Sequence, residues 1–176
     1  MRDLLNTTLI IPVKIEHPDR IRNARTTLGF INQHFKTNVF IYEVSDDGVS
    51  KLDFIEELSN LNIKHWCVES EKSFHRTKYL NIMLDSVETL VVSNYDIDVI
   101  LNPEVYTYCE DRIINSGVDV IYPYERGPVG QFQVNVNFDY MGFEKSDFNI
   151  DFINTSTNGE LTIYEAECGH CIFFNT

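Results

Sequence analysis

The chain has 176 residues, 43% of them hydrophobic, which is long enough to bury a core and excludes a disordered chain. Acidic residues outnumber basic ones 27 to 14, for a net charge of −13, so nothing in the overall field favours nucleic acid or an anionic membrane. An anionic ligand would need a local Arg or Lys, or a bridging metal.

No stretch approaches the roughly 20 consecutive apolar residues of a membrane span. The N-terminal MRDLLNTTLIIPVKIEH reads as a buried strand rather than a secretory signal, because its apolar run is short and lacks a small-residue cleavage site. A cytoplasmic protein follows as the expectation, with room for peripheral attachment to the inner face of a membrane. The four cysteines, Cys67, Cys109, Cys168 and Cys171, are then expected to be reduced.

In chain order, Thr7 to Val13 forms an apolar, β-branched run that predicts a buried strand. Pro18 and Asp19 suit the first turn of a helix, and Ile21, Ala24, Leu28, Ile31 and Phe35 continue it as an apolar stripe. Asn38 to Val44 predicts a second strand, stopped by SDDG. KLDFIEELSNLN predicts a second helix, IKHWCV a third strand, and SFHRTKYLNIMLDSVETL a third helix entered through a polar loop. TLVVSNYDIDVIL predicts a strand running into an acidic turn. Pro103 and Gly117 bracket a fourth helix, and VDVIYPY predicts a further strand. This alternation predicts an α/β fold with a mostly parallel central sheet flanked by helices, which binds ligands at the carboxyl ends of its strands. Glu125 to Glu167 reads as loops and short antiparallel strands.

The motif Cys168-Gly169-His170-Cys171 has the form of a disulfide-exchange pair. Such a pair works at a helix N-terminus, with more of the fold downstream. Here five residues follow, and Ile172-Phe173-Phe174 reads as a strand, so two thiols beside a strand are the simpler reading.

The chemistry centres on Asp96 and Asp98, two residues apart at the end of an apolar strand. Two carboxylates there offer hard oxygen ligands to Mg2+ or Mn2+, which can complete its shell with phosphate oxygens. A bridging cation would let an acidic protein bind a diphosphate. Two solvated turn aspartates are the bland alternative. Arg76 precedes a helix and could fork onto a phosphate. Glu43 and Asp46 lie near the carboxyl end of the second strand, where carboxylates accept bonds from a base or ribose. Pro12 and Val13 end the first strand and could line a base pocket.

The succession IPVKIEHPDRIRN, VFIYEVSDD, FHRTKYLN, YDIDVILNP and VIYPY resembles glycosyltransferases of the GT-A fold, of the family 2-like and galactosyltransferase-type groups. The likeness covers roughly Thr8 to Tyr124, with a fragment at the C-terminus. It implies one domain over residues 1–176, with a nucleotide-sugar half (1–124) and the start of an acceptor-side half (125–176). It implies transfer of a sugar from a nucleoside diphosphate donor, UDP-linked by expectation, to a glycan or lipid-linked acceptor, with inversion. It places Mn2+ or Mg2+ on Asp98, with Asp96 nearer the ribose or a metal-bound water. Glu43 and Asp46 would contact the nucleoside, and Arg76 and Asn81 match an R-x-x-x-x-N stretch in which the arginine binds the donor. Gly169 and His170 stand where family members carry a Gly-Gly pair on the acceptor side, and the histidine departs from that pattern. The family's catalytic base follows this segment, so it is expected beyond residue 176. Two alternatives stand beside this reading. One is a non-catalytic nucleotide- or glycan-binding module; the other is a haloacid-dehalogenase-like phosphatase, although its D-x-D normally lies on the first strand.

Overall fold

The computed structural model describes residues 1–69, 73–124, 132–134, 137–155, 161–163 and 171–176. Its elements in chain order are β1 (Arg2–Lys14), α1 (Pro18–His34), β2 (Phe35–Ser45), β3 (Leu61–Glu69), α2 (Arg76–Leu84), β4 (Val91–Tyr95), α3 (Pro103–Ser116), β5 (Val120–Ile121), β6 (Phe132–Val134), α4 (Tyr140–Lys145), α5 (Ile150–Thr155), β7 (Leu161–Ile163) and β8 (Cys171–Asn175). Six strands form one sheet in the order β3-β2-β1-β4-β8-β5, and β6 and β7 pair separately. The ladders β1–β2, β1–β4 and β2–β3 are parallel. β8 runs antiparallel to both β4 and β5. The sheet is therefore mostly parallel, as predicted, and Ile172-Phe173-Phe174 is a strand.

Side-chain alternation along β1 splits the core into two layers. Leu9, Ile11 and Val13 pack with Ala24, Leu28 and Ile31 of α1 and Tyr106, Cys109 and Ile113 of α3. Ile10 packs on the other face with Phe40, Tyr42, Val92 and with Tyr79 and Met83 of α2. Both faces are covered, which is why the strands read as continuous apolar runs. The chain lays β1, β2 and β3 outward in one direction, then returns to place β4 on the far side of β1. The crevice between the carboxyl ends of β1 and β4 is thus the topological switch point, the expected ligand position of such sheets.

Three predicted features change. Phe35 opens β2 instead of closing α1, with an extended φ of −134° and a fully buried ring. It fills the core equally well from a strand. The predicted helix over 51–62 reduces to one 3-10 turn at Ile55–Glu57. Leu52 and Phe54 are both buried, a spacing of two that no single helix face provides. The segment's backbone is claimed elsewhere: the Lys51 N–H donates to Glu43 at 2.7 Å, and the Asn60 N–H donates to Asn32 at 2.9 Å. At the C-terminal side, α4 and α5 add helices to a stretch read as loops and strands. Phe138, Phe143, Phe148 and Phe152 seat this region on the α1 side of the core.

Candidate functional site

β4 ends at Tyr95, and the chain turns at once, closed by a Val99 N–H to Asp96 O bond of 3.2 Å. Ile97 is buried and holds the middle of the turn to the core. Asp96 is mostly enclosed and Asp98 is exposed. Asn102 then caps α3, its side chain accepting from the Glu104 N–H at 3.1 Å, with Pro103 in the first turn. The D-x-D therefore sits in a short loop fixed by a strand on one side and a capped helix on the other.

Arg76 meets this loop from α2. Its guanidinium pairs with the Asp96 carboxylate and donates to Asn94 Oδ1 at 2.9 Å. The first residue of a helix and the end of a strand are joined because α2 runs back antiparallel to β4, which brings its N-terminus to the carboxyl end of the sheet. An open hollow of about 590 Å3 lies there, lined by Phe74, His75, Arg76, Thr77 and Lys78. Backbone N–H groups at a helix N-terminus add partial positive charge.

The loop after β2 is built differently. Glu43 is fully buried. Its carboxylate accepts from Ser50 Oγ at 2.6 Å, the Lys51 N–H at 2.7 Å and His65 Nε2 at 2.9 Å. Burial pushes its pKa up, but the bonds from His65, Ser50 and Lys51 outweigh it and hold the carboxyl below its ordinary value. Asp47 accepts from Lys51 Nζ at 2.8 Å and from the Val49 N–H at 3.1 Å, which lower its pKa to about 2. Asp46 and Asp47 both face solvent, and Asp46 pairs at 3.2 Å with Lys14 at the end of β1. Bonds to Glu16 and Asp46 raise the Lys14 pKa.

The residues singled out in the sequence thus fall into groups. Arg76 and Asp96 are in direct contact, with Asp98 two residues on. Glu43 and Asp46 gather at the end of β2, two strands from β4 and hence about 10 Å away across β1. Glu43 holds the loop from beneath with its oxygens turned to protein, whereas Asp46 is open. Pro12 and Val13 are both buried and, as successive strand residues, face opposite sides of the sheet, so their side chains do not share a pocket. Pro12 is tolerated in a central strand because the β4 ladder stops at Ile10. Asn81 is exposed on α2, about 140° around the helix from Arg76. Gly169 and His170 lie outside the described residues.

Lys14, Asn94, His65 and the tyrosines Tyr95 and Tyr106 belong to the site but carry no sequence motif. A second hollow of about 530 Å3 opens at the opposite, amino end of the strands, lined by polar groups including Thr8, Asn38, Asn62, Lys64, Glu88 and Thr89.

Among the described residues no three His, Cys, Asp or Glu side chains converge on one point. Among the described residues this loop thus offers two carboxylates, Asp96 and Asp98. Such a set suits Mg2+ or Mn2+, which bind through one or two carboxylates and keep water or phosphate oxygens in the remaining positions.

No protein-family model matches the sequence, and no curated protein sequence matches it. Solved structures do. PcManGT, a mannosyltransferase from Pyrobaculum calidifontis solved with GDP-Man and Mn2+, is similar with a TM-score of 0.53 over 97% of this chain and 44% of its own, at 13% identity. Residues 1–349 of TarS from S. aureus are similar with a TM-score of 0.51 over 74% of this chain and 41% of theirs, at 18% identity. The chain has the fold of the GT-A glycosyltransferases. It spans less than half the length of either structure. Within this GT-A fold, the D-x-D loop and the β2 loop flank the switch point. Among the described residues no helix is long and apolar enough to cross a membrane.

Proposed function

We propose that this chain forms the donor-binding part of a glycosyltransferase. The donor is a nucleoside diphosphate sugar, UDP-linked in the first instance, and the acceptor is a glycan or lipid-linked hydroxyl. The observation that carries the reading is the Asp96-Ile97-Asp98 loop at the topological switch point, with Arg76 in contact with it. The fold shared with a mannosyltransferase solved with GDP-Man and Mn2+ supports it.

Asp98, exposed on the loop, and Asp96 would hold Mn2+ or Mg2+. Bound there, such an ion supplies Lewis-acid neutralisation of charge on a leaving diphosphate. Arg76 sits where its guanidinium can pass from Asp96 to a phosphate oxygen, stabilising the same charge from the protein side. Asp46 offers exposed carboxylate oxygens to a base N–H or ribose hydroxyl, and Glu43 fixes the loop that presents it. Residues 1–124 are the nucleotide-sugar half in this reading, and Gly169 and His170 belong to the acceptor side. Inverting transfer needs a carboxylate to take the acceptor proton, and this step is proposed for the enzyme as a whole.

Calorimetric titration of UDP and of GDP, with and without Mn2+, tests the donor site. Binding that requires Mn2+ and disappears in Asp98→Ala is expected. Binding indifferent to both metal and Asp98 would overturn the reading. Hydrolysis of simple phosphomonoesters without nucleotide preference would point instead to the phosphatase alternative.

A further inference from the structure

Tyr95 and Tyr106 are both fully buried, yet each hydroxyl is bonded. Leu101 N–H donates to Tyr106 Oη at 3.2 Å, the two hydroxyls are 2.5 Å apart, and Tyr95 Oη donates to Val99 O at 2.5 Å. A carbonyl can only accept and an amide N–H can only donate. The Tyr95 proton is therefore committed to Val99, so Tyr106 must donate to Tyr95. The result is a one-directional chain, Leu101 N–H to Tyr106 to Tyr95 to Val99 O, with both hydroxyls saturated.

The placement of this chain gives it a purpose. Tyr95 is the last residue of β4, immediately before Asp96, and Tyr106 is in the first turns of α3. The loop carrying Asp96 and Asp98 runs between them, and the hydroxyls seize it at Val99 and Leu101. Phenylalanine would fill the same core volume without burying two polar groups. Beyond their mutual bond, the hydroxyls are spent on the backbone of the D-x-D loop. We infer that Tyr95 and Tyr106 are positioning residues that fix the D-x-D loop in the geometry needed to hold a divalent cation with a diphosphate. This rests on the donor-site reading above.

The test compares Tyr106→Phe with Phe40→Leu, a core substitution on the opposite face of the sheet that serves as a control for simple destabilisation. Two quantities are measured well below each variant's melting temperature: hydrogen exchange at the Leu101 amide, and calorimetric affinity for UDP with Mn2+. Tyr106→Phe is expected to speed Leu101 exchange and weaken Mn2+-dependent binding by about tenfold, the worth of roughly one lost hydrogen bond. Phe40→Leu is expected to lower the melting temperature while leaving both quantities near wild type. Equal exchange at Leu101 in the two variants would overturn the inference whatever the ligand. Faster exchange in Tyr106→Phe with unchanged affinity would overturn the link from loop to metal. A wild-type chain that binds no nucleotide would overturn the donor-site reading instead, and exchange at Leu101 would still decide whether the tyrosines pin the loop.

Discussion

The loops that follow β2 and β4 leave the same end of the sheet, two strands apart, and are anchored by groups of opposite character. The anchors of the β2 loop are ionised: Glu43 buried beneath it and bonded to Ser50, Lys51 and His65, and Asp47 exposed on it and bonded to Lys51 and Val49. Beneath the β4 loop they are the neutral hydroxyls of Tyr95 and Tyr106. The difference follows from what each loop must leave exposed. The β4 loop presents two carboxylates close together, and a further buried anion beneath them would repel both and disfavour their ionisation. Phenols hold the backbone without adding charge. The β2 loop presents Asp46 and Asp47, each already offset by a lysine, Lys14 and Lys51, so carboxylates can serve as its anchors.

Breaking the charged anchor should have the largest effect. Glu43→Ala leaves His65, Ser50 and the Lys51 amide without their shared acceptor in a buried setting, and about 3 kcal/mol of stability should be lost. Chemical denaturation measures this, and Glu43→Gln, which keeps an acceptor oxygen, should recover part of it. Arg76→Gln should act on binding more than on folding. Its ion pair with Asp96 is partly exposed, so stability should change by less than about 1 kcal/mol. Affinity for a nucleoside diphosphate with Mn2+ should fall by about tenfold, as loss of one charge-assisted contact predicts.

The smallest effects sharpen the comparison through pH. Glu43 and Asp47 have lowered pKa values when folded, so their stabilisation is complete above the unfolded values. It is lost as pH falls, for Asp47 between its ordinary 3.8 and about 2. The Val49 amide resonance, bonded to Asp47, should titrate in that acid window. Burial raises both tyrosines, so their contribution is complete below pH 10.0 and is lost only as pH rises above it. The Leu101 amide resonance, bonded to Tyr106, should therefore move in alkali. A Leu101 resonance that stays put in alkali would break the comparison.

Much of the scaffold was legible in the sequence, because burial on both faces writes itself as apolar runs and helix ends carry local signals. Pro18 and Asp19 open α1, and Pro103 opens α3, which Gly117 closes with a φ of 66°. The acidic turn after β4 was legible for the same reason, as two charges ending an apolar strand. What failed was the segment after β2, where Leu52 and Ile55 suggested a helix and long-range bonds to Glu43 and Asn32 took its backbone groups. The role of Glu43 was also hidden. A carboxylate inside VFIYEVS must find partners, but one of them, His65, lies 22 residues away on another strand. The tyrosine pair was hidden likewise: each residue fits its own strand or helix, and only folding brings the hydroxyls together. Local pattern reports the elements and the exposed acids, whereas the bonds that hold those acids in place are made between elements.

Paramagnetic broadening by Mn2+ tests the central claim most directly. Amide resonances of the chain are recorded with Mn2+ and UDP, then with Mn2+ and GDP. The account predicts selective broadening of residues 96–101 and of Asp46 at the carboxyl ends of the strands, while Asn62 and Lys64 at the amino-end hollow stay sharp. Broadening centred on Asn62 and Lys64, or spread evenly over the acidic surface, would contradict it.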